Sequence, residues 1–147
     1  MKLLLTALTT LMVFAANSGR AAEPKKEDAQ LIEGAWLMTT AELAGQKLPE
    51  EIIKNFKLIL ADGKYTLKSN SPEDRGSITL FPAKTPKAID VKGTEGPNKG
   101  KMFLAIYEMS GDSLKICYDL EGKARPEEFK TKAGTKLFLV TYIREKP

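Results

Sequence analysis

The sequence predicts an all-β domain, an eight-stranded antiparallel up-and-down barrel with one or two short helical turns. Short apolar and β-branched runs are separated, from Asn55 onward, by closely spaced turn residues, which is typical of a sandwich or barrel. No helical layer alternates with these runs, as it would in βαβ units. A closed barrel is favoured over an open sheet because closure removes the exposed strand edges.

Two short helical turns precede the main run of strands. Leu31 and Ile32 predict one turn that starts at Asp28 and delivers the chain to Gly34. Pro49, with two acidic residues behind it, predicts a second turn within residues 48–55, because proline is favoured at the first position of a helix.

Eight strands are predicted, and two of their connections are tight hairpins. The strands span residues 35–43, 56–60, 64–68, 76–81, 87–92, 101–109, 113–119 and 135–145. Asp62-Gly63 and Ser110-Gly111-Asp112 supply the hairpin turns. The sixth and eighth strands carry large apolar side chains on both faces, so they need cover from a helix, a terminal segment or a partner protein.

The N-terminus reads as an export signal covering residues 1–21. Lys2 supplies the positive charge, the apolar stretch of residues 3–16 has signal-peptide length, and small residues precede two candidate cleavage points, after Ser18 and after Ala21. An uncleaved membrane anchor is the alternative, but the stretch is short for a bilayer and contains three threonines. We therefore expect a periplasmic or secreted protein with no stable membrane insertion after cleavage, a flexible lead at residues 22–29 and one domain at 30–147.

Charge and residue usage exclude several function classes. Loss of Lys2 and Arg20 on cleavage after Ala21 would lower the net charge from +4 to +2, and the remaining lysines interleave with acids. A nucleic-acid partner is not indicated, because no basic run contains stacking aromatic residues. Histidine is absent and there is one cysteine, so we expect no metal site, no cofactor and no intramolecular disulfide.

A set of short motifs resembles a known family. Gly34-Ala35-Trp36 is similar to the Gly-x-Trp that opens the first strand of lipocalins. The other motifs are GQKLP at 45–49, PKAID at 86–90, GPNKG at 96–100, IYE at 106–108, GDSLKIC at 111–117 and RPEEF at 125–129. Together they resemble the planctomycete-type conserved hypothetical domain, a lipocalin-like family of exported bacterial β-barrel domains. This resemblance implies a lipocalin-like barrel and no assigned activity.

Cys117 is the most conspicuous candidate for chemistry, and the sequence argues against it. A cysteine nucleophile needs a base or a positive environment to form thiolate, and the chain has no histidine. Strand alternation places Cys117 on one face with Lys115 and Asp119, whose charges act on the thiol in opposite directions. We expect a packed structural cysteine and no catalytic residues, with a redox role as the alternative.

Arg125 is the better candidate for a functional residue. Pro126 stiffens the loop that carries it, so its guanidinium could bind a ligand carboxylate bidentately. The sequence favours an internal ion pair with Asp112, Glu95 or Glu108 over this ligand role, because exposed functional arginines are the rarer case.

The residues predicted to line a ligand cavity in the barrel are apolar or aromatic. The candidates, with Arg125, are Trp36, Met38, Phe56, Phe103 and Tyr107. We expect a non-catalytic protein that binds a small apolar or amphipathic ligand. The alternative is a cell-envelope interaction or structural module, with an envelope protein partner and a barrel filled by its own side chains.

Overall fold

The computed structural model describes residues 26–147, and these form the predicted barrel. Neighbouring strands pair antiparallel in sequence order, and β1 also pairs with β9, which closes eight strands into a barrel. The elements are α1 (Asp28–Leu31), β1 (Gly34–Leu43), β2 (Gln46–Lys47), α2 (Glu50–Ile53), β3 (Lys57–Ala61), β4 (Lys64–Lys68), β5 (Asp74–Phe81), β6 (Ala88–Glu95), β7 (Met102–Ser110), β8 (Ser113–Asp119) and β9 (Leu137–Arg144). The predicted signal peptide lies outside the described residues.

Most predicted boundaries agree with the observed ones within two residues. Both helical turns are present, and β4 and β8 have the predicted bounds. The predicted domain start at residue 30 falls inside α1, whose first residue, Asp28, is already hydrogen-bonded to the barrel. Four corrections to the strand predictions are needed: β5 starts at Asp74 rather than Gly76, β6 continues to Glu95, β9 starts at Leu137 rather than Thr135, and the two-residue strand β2 was not predicted.

One end of the barrel, here called the closed end, is sealed by Trp36 and α1. The Trp36 side chain is fully buried, and its indole N–H donates to the carbonyl oxygen of Ile32 at 2.9 Å. Arg144 stacks its guanidinium 4.2 Å from the centre of the indole ring and donates to the carbonyl oxygen of Leu31. Tyr107 donates its hydroxyl hydrogen to Asp28 at 2.6 Å, which attaches α1 to the barrel.

The opposite end, the open end, carries α2 and the longest loops. The loop between β8 and β9, residues 120–136, is called the strap because it lies along the outer wall of the barrel. The strap covers Ile106 of β7 and Cys117 of β8, both 0% exposed although they point away from the barrel interior. The outer face of the sixth predicted strand, β7, is therefore covered by a loop of the same chain. On the eighth predicted strand, β9, Ile143 remains 48% exposed.

Within residues 26–147, no helix has the length and apolar character needed to cross a membrane.

Candidate ligand-binding cavity

A cavity of about 160 Å³ lies inside the barrel towards the open end. Fifteen of its twenty lining residues are apolar, and they are drawn from all eight barrel strands, from α2 and from the adjoining loops. It reaches the surface beside α2, where Ile52 is 52% exposed. An engineered cavity of similar size in another protein, about 150 Å³, stays dry and binds benzene. The space therefore suits the apolar part of a small molecule.

One wall of the cavity carries a polar cluster centred on Asp74. This side chain is 6% exposed and accepts three hydrogen bonds. Asn98 donates its backbone N–H at 3.2 Å and its side-chain amide at 2.7 Å, and Tyr65 donates its hydroxyl at 3.2 Å. Burial, followed by the neighbouring charge of Asp74, raises the pKa of Tyr65, so Tyr65 stays a neutral donor at physiological pH.

Two facing glycines make room for this cluster. Gly76 and Gly93 are paired across β5 and β6. A Cβ atom at Gly76 would collide with the Tyr65 ring and the Lys92 carbonyl, and one at Gly93 would collide with Asn98. The close approach of Asn98 to β6 thus depends on Gly93, whereas Gly76 makes room for the Tyr65 ring and for the Lys92 carbonyl of the neighbouring strand.

A second polar feature of the lining is a pair of tyrosine hydroxyls. Tyr118 and Tyr142, on β8 and β9, interact with each other in the wall of the cavity. Burial, and for Tyr118 also its tyrosine neighbour, raises both pKa values, so the pair is neutral. The Tyr118 ring stacks on Phe138 with ring centres 6.1 Å apart, which fixes its position in the wall.

Half of the residues predicted for the ligand site line this cavity. Met38, Phe56 and Phe103 do so. Trp36 and Tyr107 also point inward, but they fill the closed end and are 0% and 1% exposed.

Arg125 lies outside the barrel, in the strap, and not at the cavity. Its guanidinium donates to the carbonyl oxygens of Ile89 at 3.1 Å and Ala105 at 2.8 Å, and it pairs with Asp90 at 2.5 Å. The internal ion pair expected from sequence is therefore present, but with Asp90 rather than with any of the three predicted acids. Asp90 becomes the partner because the strap crosses β6 and β7.

Asp119 holds the start of the strap. Its carboxylate accepts hydrogen bonds from the backbone N–H groups of Glu121, Lys123 and Ala124. Burial alone would raise the pKa of Asp119, but these hydrogen bonds outweigh it and leave the pKa below its usual value. Charged Asp119 therefore stabilises the strap in its observed position.

Cys117 is buried beneath the strap, as expected for a structural cysteine. Its thiol donates to the Lys130 carbonyl oxygen at 3.6 Å, and burial raises its pKa. A raised pKa lowers the thiolate fraction, which disfavours nucleophilic chemistry.

Sequence reasoning missed Tyr65, Asp74 and Asn98. Asp74 lies in the polar segment SNSPEDRG, which reads as a solvated loop. Gly76 and Gly93 were the only local signal, since a glycine inside a strand often marks a close backbone approach.

Fold and cavity together define a closed antiparallel β-barrel with an apolar internal cavity that carries one buried carboxylate. Comparisons with protein-family models, curated proteins and solved structures found no significant match to this chain. Among residues 26–147, no group of three or more Cys, Asp or Glu side chains is arranged to hold a metal ion. Function is therefore inferred from the chain's own residues.

Proposed function

We propose that this domain is a non-catalytic binding protein that takes a small apolar or amphipathic molecule into the barrel. The observation that supports the proposal is the cavity of about 160 Å³, with its apolar lining and its opening beside Ile52. Ligand sites are commonly concave and apolar with a few placed polar groups, and the Asp74 cluster and the tyrosine pair are such groups. Apolar burial of the ligand is the driving force.

The proposal includes the family and compartment suggested by the sequence. The motifs around Trp36 and in residues 125–129 support membership of the lipocalin-like planctomycete-type family. Residues 1–21 are proposed to direct export to the periplasm or medium. The mass of the chain recovered from expressing cells tests this directly: a start at Gly19 or Ala22 supports export, and an intact residue 1 in the cytoplasmic fraction contradicts it.

The binding proposal is tested with 1-hexanol, whose chain matches the size of the cavity. Methyl NMR spectra should show saturable shifts at Leu58, Ile89 and Ile116, which line the cavity. Val91→Phe, which fills the cavity, should weaken binding at least fivefold, since bound alcohol and phenyl ring compete for the same space. Lys92→Phe is the matched control, because the next residue along a strand points to the other face and Lys92 is exposed.

Absence of saturable shifts in the folded wild-type protein would overturn the binding proposal. Equal weakening by Lys92→Phe would place the alcohol elsewhere on the protein.

A second candidate function is a cell-envelope interaction module. It is favoured by Leu37 and Ile143, which pair directly across β1 and β9 and are 37% and 48% exposed on the outer wall. A photo-crosslinker at position 37 should give an adduct with one envelope protein in intact cells, and Ile143→Lys should abolish it. A crosslinker at Lys92 serves as the control, and adducts of equal yield there would contradict this candidate.

A further inference from the structure

The buried carboxylate of the cavity indicates which ligand charge the barrel accepts. Asp74 is the only Asp, Glu, Lys or Arg among the described residues that line the cavity. Its three hydrogen-bond donors are all neutral groups, from Tyr65 and Asn98. Within residues 26–147 no ion pair involves Asp74. The negative charge is therefore held by hydrogen bonds without a cation to neutralise it.

The polar cluster leaves Asp74 able to accept one further donor. A carboxylate offers about four lone-pair positions, and the neighbouring groups use one on Oδ1 and two on Oδ2. An ammonium group carries three N–H donors and a positive charge. A carboxylate ligand has no donor when ionised, and its charge would be repelled by Asp74 at short range in a medium of low dielectric constant.

The aromatic lining adds to this preference. Phe56, Phe103, Tyr118 and Phe138 line the same cavity, and aromatic faces attract cations within about 6 Å of the ring centre. The described lining offers no lysine or arginine that would attract an anion.

We propose that the barrel selects amphiphiles with a cationic amine head and a body of about six carbon atoms, held at Asp74, and discriminates against carboxylates of the same size. This inference rests on the proposed binding function and specifies the ligand class of the same cavity. The charge preference follows from Asp74, whereas binding as such follows from the apolar walls.

The test is a matched probe series on the wild-type protein: hexylamine, 1-hexanol and hexanoate, at pH 7 and constant ionic strength. Affinities are measured by the same methyl shifts at Ile89 and Ile116. We expect hexylamine to bind at least tenfold more tightly than hexanoate, with 1-hexanol between them. Hexanoate binding as tightly as hexylamine would overturn the charge preference while leaving the binding function intact, whereas failure of all three probes would overturn the binding function.

Asp74→Asn localises the preference, because it removes the charge with little change in size. In a folded variant, hexylamine should lose at least fivefold in affinity and 1-hexanol should change less than twofold. An unchanged hexylamine preference would place the cation elsewhere. If Asp74→Asn does not fold, hexyltrimethylammonium is added to the probe series on the wild-type protein, because it keeps the positive charge but has no N–H donor. Weaker binding than that of hexylamine supports the hydrogen bond to Asp74. Equal or tighter binding contradicts it.

Discussion

The closed and open ends of the barrel differ in how completely side chains fill the interior. At the closed end Trp36 fills the space, and its N–H is bonded to Ile32. At the open end the walls carry aromatic and aliphatic side chains that leave about 160 Å³ between them. The longest loop leaves from the open end, yet Arg125 attaches it to the outer wall of β6 and β7. The mouth is therefore accessible because the strap lies along the barrel instead of across it.

The largest expected effect is at the closed end. Trp36→Ala should lower the free energy of unfolding by about 3–5 kcal/mol, since it creates a large cavity and removes the partner of the Ile32 carbonyl. Phe56→Ala at the open end should cost less, because Phe56 is only partly buried and already borders free space. Urea unfolding of both variants measures the two losses of stability. A larger loss for Phe56→Ala than for Trp36→Ala would contradict the view that the closed end is the better packed one.

The second effect concerns the strap. Arg125→Ala should cost about 1–3 kcal/mol, because two backbone carbonyls and Asp90 lose a charged donor, partly screened by solvent. Limited proteolysis should then cut within residues 120–136, whereas the exposed Lys123→Ala control should resist. Binding of 1-hexanol should stay unchanged. A loss of 1-hexanol binding in a folded Arg125→Ala variant would contradict this and would indicate that Arg125 contributes to ligand binding.

A smaller loss of stability is expected when a tyrosine–aspartate hydrogen bond is removed, and the barrel has one such bond at each end. Tyr107→Phe should cost about 0.5–1.5 kcal/mol and speed amide exchange in α1, because Asp28 loses one of the hydrogen bonds that attach the helix to the barrel and keeps the one from Lys87. Tyr65→Phe should leave α1 exchange unchanged and alter hexylamine affinity instead. Exchange in α1 that responds equally to both variants would contradict the separation of the two ends.

The smallest expected effect is a loss of strap stability at acid pH. Because the pKa of Asp119 is lower in the folded state, its stabilisation is present above about pH 4, the unfolded value, and is lost as pH falls through the folded value. Proteolysis of the strap should therefore increase at acid pH in the wild type. Asp119→Asn should show a weaker pH dependence, and an identical pH profile would show that other groups control the strap.

Local turn chemistry made much of the fold predictable. Asp62-Gly63 set the hairpin of β3 and β4, and Gly111 set that of β7 and β8, because a hairpin turn depends only on the residues within it. The start of β5 was wrong by two residues, since inward-facing Asp74 becomes tolerable only when Tyr65 of β4 and Asn98 of the loop after β6 supply hydrogen-bond donors.

The candidate site was less predictable. Alternation along a strand predicts whether a side chain points into the barrel, but it does not predict near which end of the barrel that side chain lies. Trp36 and Phe103 were both expected inside and both are, yet one fills the closed end and the other lines the cavity. The partner of Arg125 depended on the path of the strap, and residues 120–136 contain no periodic pattern that would predict that path.

The pairing of β1 with β9 has a kinetic consequence. Met38 faces Tyr142 and Trp36 faces Arg144, so the first and last barrel strands can pair only after β9 has been synthesised. Until then two unpaired edges stay available for mispairing, and contacts between distant sequence positions form slowly. Arg144, in the last barrel strand, binds the carbonyl oxygens of Leu31 and Glu33, so the segment that precedes the first strand is fixed in place only when the last strand has paired.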